Sequence, residues 1–191
     1  MILFFCVEYF AFIWIKLTER ITMAQPAYIK IEGVTQGLIS SGASTQESIG
    51  NRYQAGHEDE IMAQEISHIV TVPTDTQSGQ PSGQRVHRPF IFTCSLNKAV
   101  PLLYNALTKG ERLNNVEVHW FRTSIGGGAE HYFTTKLEDA IITDIDLIMP
   151  NAQDTSNNNK TELFRVSLNY RKIIWEHVVA GTSGSDDWRN A

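Results

Sequence analysis

The chain has 191 residues, a length that suits one domain, and it combines 42% hydrophobic with 19% charged residues at a formal net charge of −5. A weakly acidic chain without clustered Lys and Arg argues against nucleic-acid binding through a broad basic face. The two cysteines, Cys6 and Cys94, are far apart in sequence. A disulfide framework and a thiolate zinc site are therefore not expected, and a reducing compartment fits best.

The first 22 residues differ in character from the rest of the chain. Residues 2–15 (ILFFCVEYFAFIWI) are apolar or aromatic except for Glu8. As a helix they would span about 21 Å, short of the roughly 30 Å hydrocarbon core, and they lack the basic start and cleavage site of a signal peptide. We expect residues 1–22 to be an upstream extension from a mis-called start, with Met23 as the first residue of the fold. A membrane anchor or a packed amphipathic arm is the alternative.

Alternating apolar and polar residues predict β-strands along most of the remaining chain. The predicted strands cover residues 27–32, 60–72, 88–95, 116–123, 131–149 and 161–179. At about 3.3 Å per residue, the strand at 131–149 would be near 60 Å long, so a bend or bulge is expected within it. Strands of this length in a small domain predict closure into a barrel or a tight sandwich.

One helix is predicted between the strands, because apolar residues recur at helical spacing and form one stripe. The stripe consists of Ala99, Leu102, Leu103, Ala106 and Leu107. Ser95 or Asn97 can cap its start, and Gly110 suits the left-handed residue that ends it. The predicted fold class is therefore mainly β: a barrel with one flanking α-helix.

Four segments are predicted to lack regular structure. Residues 33–60 are rich in Gly, Ser, Gln and Asn, and a loop of this length in a compact domain is usually disordered or functional. Residues 73–83 and 151–160 are polar connections, and residues 180–191 form a flexible tail.

The residues that could carry chemistry do not combine into a site. None of the six histidines forms a metal-binding pair at helical spacing. The run His57-Glu58-Asp59-Glu60 suits a divalent cation or a pH-sensitive contact, but a solvated loop flank is the favoured interpretation. The three glycines at 126–128 fit a hairpin connection better than a phosphate loop. We expect no metal and no cofactor.

Enzyme chemistry has no support in the sequence either. No G-x-S-x-G motif occurs, and Cys94 has no predicted base beside it. Trp120 and Tyr170 share strand faces with Val and Leu and are predicted to be core residues. Trp175 is predicted to point outward at an interface. No catalytic residue is therefore predicted.

Four runs of sequence resemble the haemolysin-coregulated protein (Hcp) family, in its enterobacterial branch. They are MAQPAYIKIEG from Met23, HRPFIFTCSLNKAVPLLYNALTKGE from His87, VEVHWFRT from Val116, and YRKIIWEHVVAGTSGSDDW from Tyr170. The resemblance covers residues 23–191. It implies a compact Hcp-like β-barrel of two closely packed sheets with one flanking helix, and it implies a tube subunit of the type VI secretion system.

The resemblance also implies how the protein works and where it is found. Six copies form a ring, rings stack into a hollow tube within a contractile sheath, and the tube is driven outward behind a VgrG-type spike. Some family members hold small effector proteins in the ring lumen. The protein would be cytoplasmic until assembled and then extracellular, with no cleaved signal peptide, no membrane insertion and no nucleic-acid partner.

A closed ring requires that one patch of each subunit meet a different patch of the next. The loop at 33–60 is the natural candidate for an arm that reaches a neighbour, and Trp and Arg in the tail are favoured interface anchors. The candidate interface residues are Gln36, Leu38, Ile39, Ile49, Asn51, Arg52, Tyr53, Glu58, Asp59, Trp188 and Arg189. The alternatives are a free-standing secreted effector or binding module, and a small hydrolase that uses His119 or His131.

Overall fold

The computed structural model describes residues 26–157 and 161–189, and just under half of them lie in β-strands. The strands are β1 (Ala27–Gly33), β2 (Gly37–Leu38), β3 (Ile61–Ser67), β4 (Val70–Thr71), β5 (Val86–His87), β6 (Phe90–Cys94), β7 (Arg112–Thr123), β8 (Ala129–Ile148), β9 (Leu163–Asn169), β10 (Lys172–His177) and β11 (Thr182–Asp187). The α-helices are α1 (Gln46–Ile49) and α2 (Val100–Lys109), and short 3₁₀ turns lie at Gly50–Arg52 and Thr155–Asn157.

Six strands close into a barrel. Going round it, β7, β1, β3, β6, β9 and β8 are each hydrogen-bonded to the next, and β8 pairs with β7 to complete the circle. All of these pairings are antiparallel. β10 and β11 extend the sheet outward from the first half of β8. The predicted fold class, a mainly β barrel with a flanking helix, is confirmed.

The barrel can close because β8 bends. Its 20 residues pair with β7 up to Ile141 and with β9 from Ile141 onward. Asp139 adopts a positive φ of 54°, and the register shifts between Ile142 and Asp144. Arg112 Nη1 donates to Asp139 Oδ1 at 2.9 Å beside the bend. The bend or bulge expected in this long strand is confirmed.

The core fills the barrel with large apolar side chains from all six strands. Ile29, Phe92, Leu137 and Phe164 are fully buried among them. Each such side chain contributes about 1.5–3 kcal/mol relative to leaving it exposed. Side chains from β1, β6, β8 and β9 therefore pack into a single hydrophobic core.

Helix α2 covers the barrel with the stripe that the sequence predicts. Leu103 and Ala106 are buried, whereas Leu102 and Leu107 are half-buried against the core. The cap residue of α2 is Ala99, which makes no side-chain cap hydrogen bond, so the prediction of Ser95 or Asn97 as the cap is corrected; Asn97 Oδ1 accepts the Ala99 N–H at 2.9 Å just before the helix. Gly110 ends the helix in the left-handed region at φ 63°, as predicted.

Two predicted strands require correction. The single strand predicted at 161–179 is two strands, β9 and β10, because the chain turns at Tyr170 and Arg171 to leave the barrel. The strand predicted at 60–72 ends at Ser67, and β4 begins a separate hairpin.

Two predicted loops are also more regular than expected. The segment 33–60 contains β2, α1 and a 3₁₀ turn. The tail predicted to be flexible contains β11 instead, because it pairs with β10 along the whole of Thr182–Asp187 and satisfies the backbone groups of that edge. The proposed extension at 1–22 lies outside the described residues.

Candidate assembly surface

The loop at 33–60 packs against its own barrel rather than projecting from it. Ile39 and Ala43 are fully buried in the core. Ser40 Oγ accepts the Ile31 N–H at 3.2 Å, which ties the loop to β1. The prediction of Ile39 as an interface residue is therefore wrong, because its side chain is not available to a second chain.

Gln36 is held by a buried carboxylate at the end of α2. Glu111 accepts the N–H of Thr35 at 2.7 Å, the N–H of Gln36 at 2.8 Å and the side-chain amide of Gln36 at 2.7 Å. Burial alone would raise the pKa of Glu111, but these hydrogen bonds hold its pKa below the usual value. The turn at 33–36 is thus fixed to the barrel, with Val34 exposed beside it.

The remaining loop candidates lie at the surface with local partners. Tyr53 donates to Glu58 Oε1 at 3.0 Å, and Asp59 Oδ1 accepts the Gly42 N–H at 2.9 Å. Arg52 donates to Ser95. Asn51, Tyr53 and Asp59 are exposed, whereas the other candidates here are half-buried: Leu38, Ile49, Arg52 and Glu58. The structure places Leu38 opposite Glu32 at the end of β1, and it does not test whether any of these residues contacts another subunit.

A shared carboxylate joins the end of this loop to β7. Glu60 Oε2 lies 2.6 Å from His57 Nδ1, and Glu60 Oε1 lies 2.6 Å from His119 Nδ1. The hydrogen bond to Glu60 raises the pKa of His119. Burial opposes the change in Glu60, but its bonds to His119 and His57 lower its pKa. His57 and Glu60 therefore form a structural contact between the loop and the barrel, whereas Asp59, within the same run, stays exposed.

The other sequence features that could have carried chemistry do not form a reactive site or a metal site in the described residues. Among residues 26–157 and 161–189, no group of three or more His, Cys, Asp or Glu side chains is arranged to hold a metal ion. Cys94 is buried, and burial raises the pKa of its thiol to about 12. Ser124 donates its N–H to Gly128 O at 2.8 Å, so the three glycines form a hairpin turn as predicted.

Trp120 and Trp175 both pack partly against the core. Trp120 also donates to Thr135 Oγ1 at 3.1 Å. The expectation that Trp175 points outward is therefore corrected. Tyr170 is buried, as predicted. No helix in the described part of the chain is long and apolar enough to cross a bilayer.

The element that does project is a hairpin, of which residues 73–83 were predicted to be a polar connection and residues 68–72 the end of one longer strand. We call residues 68–87, which contain β4 and β5, the outer hairpin. Its two arms pair at Val70–His87 and Thr71–Val86, and Asp75 Oδ1 accepts the N–H groups of Gln77 and Ser78 at its tip. Every residue from 69 to 84 is exposed.

The outer hairpin carries apolar side chains into solvent. Val70, Val72 and Val86 are 43%, 48% and 45% exposed. The alternation of these valines with polar residues, together with the turn-forming TDTQSG at the tip, was the available signal for a hairpin. It was missed because the polar composition of 73–83 suggested flexibility.

The two tail candidates lie at the foot of the outer hairpin. Trp188 is 51% exposed, and its ring centroid lies 5.6 Å from that of His87. Its backbone N–H donates to the backbone oxygen of Arg171 at 3.1 Å. Arg189 is exposed and donates its N–H to Asp187 Oδ1 at 2.9 Å. The structure thus groups Trp188 with the hairpin and apart from the candidates at 33–60.

Comparisons with known proteins agree with this fold. A family profile described as "Type VI secretion system effector, Hcp" matches residues 28–177. The chain is 58% identical over 168 residues to the "Major exported protein" of Pseudomonas aeruginosa strain PAO1, covering 88% of this chain and 98% of that protein.

Two solved structures extend the comparison. A structure titled "Crystal structure of Hcp protein" is 78% identical, with a TM-score of 0.82, and the match covers 86% of this chain and 100% of that one. The secreted protein Hcp3 from Pseudomonas aeruginosa is 51% identical, with a TM-score of 0.74, over 87% of this chain and 99% of that one.

The barrel, its flanking helix and these matches define a component of a bacterial type VI secretion system. The chain belongs to the Hcp family.

Proposed function

We propose that this chain is the structural subunit of a type VI secretion tube. Six copies form a ring, and rings stack into a hollow tube that sheath contraction drives out of the cell. The observation that carries the proposal is the outer hairpin, an ordered arm with exposed valines on a chain of the Hcp family. Exposed apolar side chains at this density favour a protein partner, and in a tube that partner is a copy of the same chain.

Two surfaces are suited to the two kinds of contact that a stacked ring requires. The exposed candidates Asn51, Tyr53 and Asp59 lie on the folded loop at 33–60, and they are proposed to meet the neighbouring subunit within a ring. The outer hairpin is proposed to meet the next ring, with Trp188 and Arg189 at its foot. Such contacts are heterologous, since each joins unlike patches of two copies.

The further partners follow from the same role. We propose a VgrG-type spike at the tip of the tube, the contractile sheath around it and small effector proteins within the ring lumen. The protein acts as a structural and exported component rather than as an enzyme. The name of the P. aeruginosa relative supports export of this chain.

The export part of the proposal is tested in a strain that produces the chain with a functional secretion system. The protein is expected in the culture medium, and it is expected to stay in the cells when the sheath gene is inactivated. A cytoplasmic enzyme measured in the same fractions controls for lysis. Equal amounts in the medium of both strains would favour a free-standing secreted module and contradict a tube subunit.

A further inference from the structure

We propose that Tyr170 and Asp186 are positioning residues, which hold the outer hairpin at the angle at which it meets a second copy of this chain. They form a clamp at the base of the hairpin, together with His68, Arg85 and His87. The inference rests on the proposed function in one respect: the partner of the hairpin is a neighbouring ring. The clamp itself is defined by hydrogen bonds within one chain.

Both arms of the hairpin meet on a single hydroxyl group. The oxygen of Tyr170 lies 2.6 Å from His68 Nε2 and 2.8 Å from His87 Nδ1. His68 precedes β4 and His87 ends β5, so the hydroxyl joins the outgoing arm to the returning arm. Tyr170 follows β9, a strand of the barrel, and its ring is buried. The hairpin is thereby attached to the rigid core.

The second half of the clamp comes from the C-terminal strand β11. Asp186 Oδ2 lies 2.6 Å from His87 Nε2, and the same oxygen accepts Arg85 Nε. Arg85 Nη2 also donates to the backbone oxygen of Asp187 at 3.0 Å. Two residues of the returning arm are therefore bound to an edge strand that sequence composition predicted to be flexible.

These hydrogen bonds connect Asp186, His87, Tyr170 and His68 in series. Because the Asp186 carboxylate can only accept, His87 donates its Nε2 proton to Asp186, and its Nδ1 can then accept the Tyr170 hydroxyl proton. The Tyr170 oxygen is left to accept from His68 Nε2. Burial, with the nearby His87, lowers the pKa of His68, which agrees with a neutral imidazole there. The two histidines depend on the same group, because the Tyr170 hydroxyl can donate to one of them while it accepts from the other.

The clamp sets the angle of the hairpin because the contacts beyond it are local. His87 and Tyr170 are 5% and 7% exposed, whereas every residue from 69 to 84 is exposed. Hydrogen bonds at the tip join the hairpin to itself, such as Asp75 N–H to Gln80 O at 2.8 Å. The hydrogen bonds beyond the foot thus join the hairpin to itself, and the clamp joins it to the barrel. Such preorganisation lowers the entropy lost when the arm binds a partner.

The inference is tested on the full chain with two variants, Tyr170→Phe and Asp186→Asn. Phenylalanine keeps the buried ring and removes the hydroxyl, and asparagine removes the charge on the exposed edge of the sheet. The matched control is Glu130→Gln, which weakens the 2.8 Å bond from Arg122 Nε in a different hairpin. Three quantities are measured for each protein: ring mass, the ring–ring association constant, and hydrogen exchange of the amides at 69–84.

We expect ring mass to stay unchanged in all variants. In Tyr170→Phe and Asp186→Asn, exchange at 69–84 is expected to rise about tenfold and ring–ring association to fall about tenfold, the size of one lost buried hydrogen bond. Glu130→Gln is expected to match the original chain in both quantities.

Three results would overturn the positioning role. The first is unchanged exchange and association in both variants. The second is faster exchange with unchanged association, since the angle would then not matter for binding. The third is loss of the ring in both variants, which would make these residues structural. If the original chain formed no rings at all, the proposed function would fail, while exchange at 69–84 would still decide whether the clamp holds the hairpin.

Discussion

Glu60 shows how one side chain can hold a long loop in place. Its two carboxylate oxygens each accept from a different imidazole, His57 at the end of the loop and His119 on β7. The His57 ring also stacks on Tyr28, with centroids 3.7 Å apart. A carboxylate shared in this way couples the position of the loop to the protonation of His119.

This coupling predicts a stability that depends on pH. The raised pKa of His119 gives a contribution that is complete below its unfolded value of 6.5 and is lost as pH rises through the folded value. The lowered pKa of Glu60 gives a contribution that is present above 4.5 and is lost as pH falls through the folded value. The pair therefore stabilises the fold most between these two pH values. His131 acts against it, because burial and the adjacent His119 lower its pKa.

The test compares the original chain with His119→Gln, since glutamine can still donate to Glu60 but cannot become charged. Thermal unfolding is followed across the pH range. The difference in melting temperature is expected to be largest between pH 4.5 and 6.5 and to shrink above the folded pKa of His119. A difference that grows toward alkaline pH would contradict the assignment.

For single residues in the loop at 33–60, the sequence did not show which side chains are buried and which are exposed. Ile39 and Tyr53 both stand in a polar, aperiodic segment, yet one is in the core and the other is exposed. No alternation exists there to separate them, because the segment is ordered by long-range bonds such as those to Glu111. The role of Tyr170 in joining two histidines was equally inaccessible, since His68, His87 and Tyr170 are distant in sequence.

At the scale of elements, the turn at 33–36 depends on the carboxylate that follows α2. Glu111→Ala leaves three donors of Thr35 and Gln36 without their acceptor. We expect the free energy of unfolding to fall by about 1.5–3 kcal/mol, the usual contribution of hydrogen bonds to a charged group. Denaturant unfolding measures it.

The control for this variant is Glu32→Ala, which removes an exposed carboxylate from β1 nearby. It is expected to change the unfolding free energy by less than about 0.5 kcal/mol, as is usual for surface sites. Equal losses in the two variants would show that the hydrogen bonds of Glu111 do not stabilise the turn.

Most of the regular elements could be predicted, since β1, β7, β8 and α2 carry clear apolar periodicity over several residues. β11 could not, because TSGSDD has little strand propensity and forms a strand only through its pairing with β10. The outer hairpin was not predicted as a unit, because its first arm was assigned to the strand at 60–72 and its polar tip to a connection. The secondary structure of such segments is determined by their contacts with the rest of the fold.

At the scale of the whole molecule, the net charge of the chain affects how one proposed ring stacks on the next. In the proposed ring, six chains of −5 each would give a charge of −30. Stacking such rings requires local complementarity, because like charges across a contact repel. We predict that ring–ring association depends on salt, measured by sedimentation at low and at moderate ionic strength with ring mass as the reference. Stacking that does not change between these conditions would remove the electrostatic part of the account.

The central claim is that six copies of this chain close into a ring. The most direct measurement is the solution mass of the full chain by light scattering after gel filtration, with negative-stain imaging of the same peak. A chain begun at Met23 is measured in parallel to test the expectation for residues 1–22. We expect a six-subunit species that appears as rings. A monomer at every concentration and salt would contradict it and would favour a free-standing binding module.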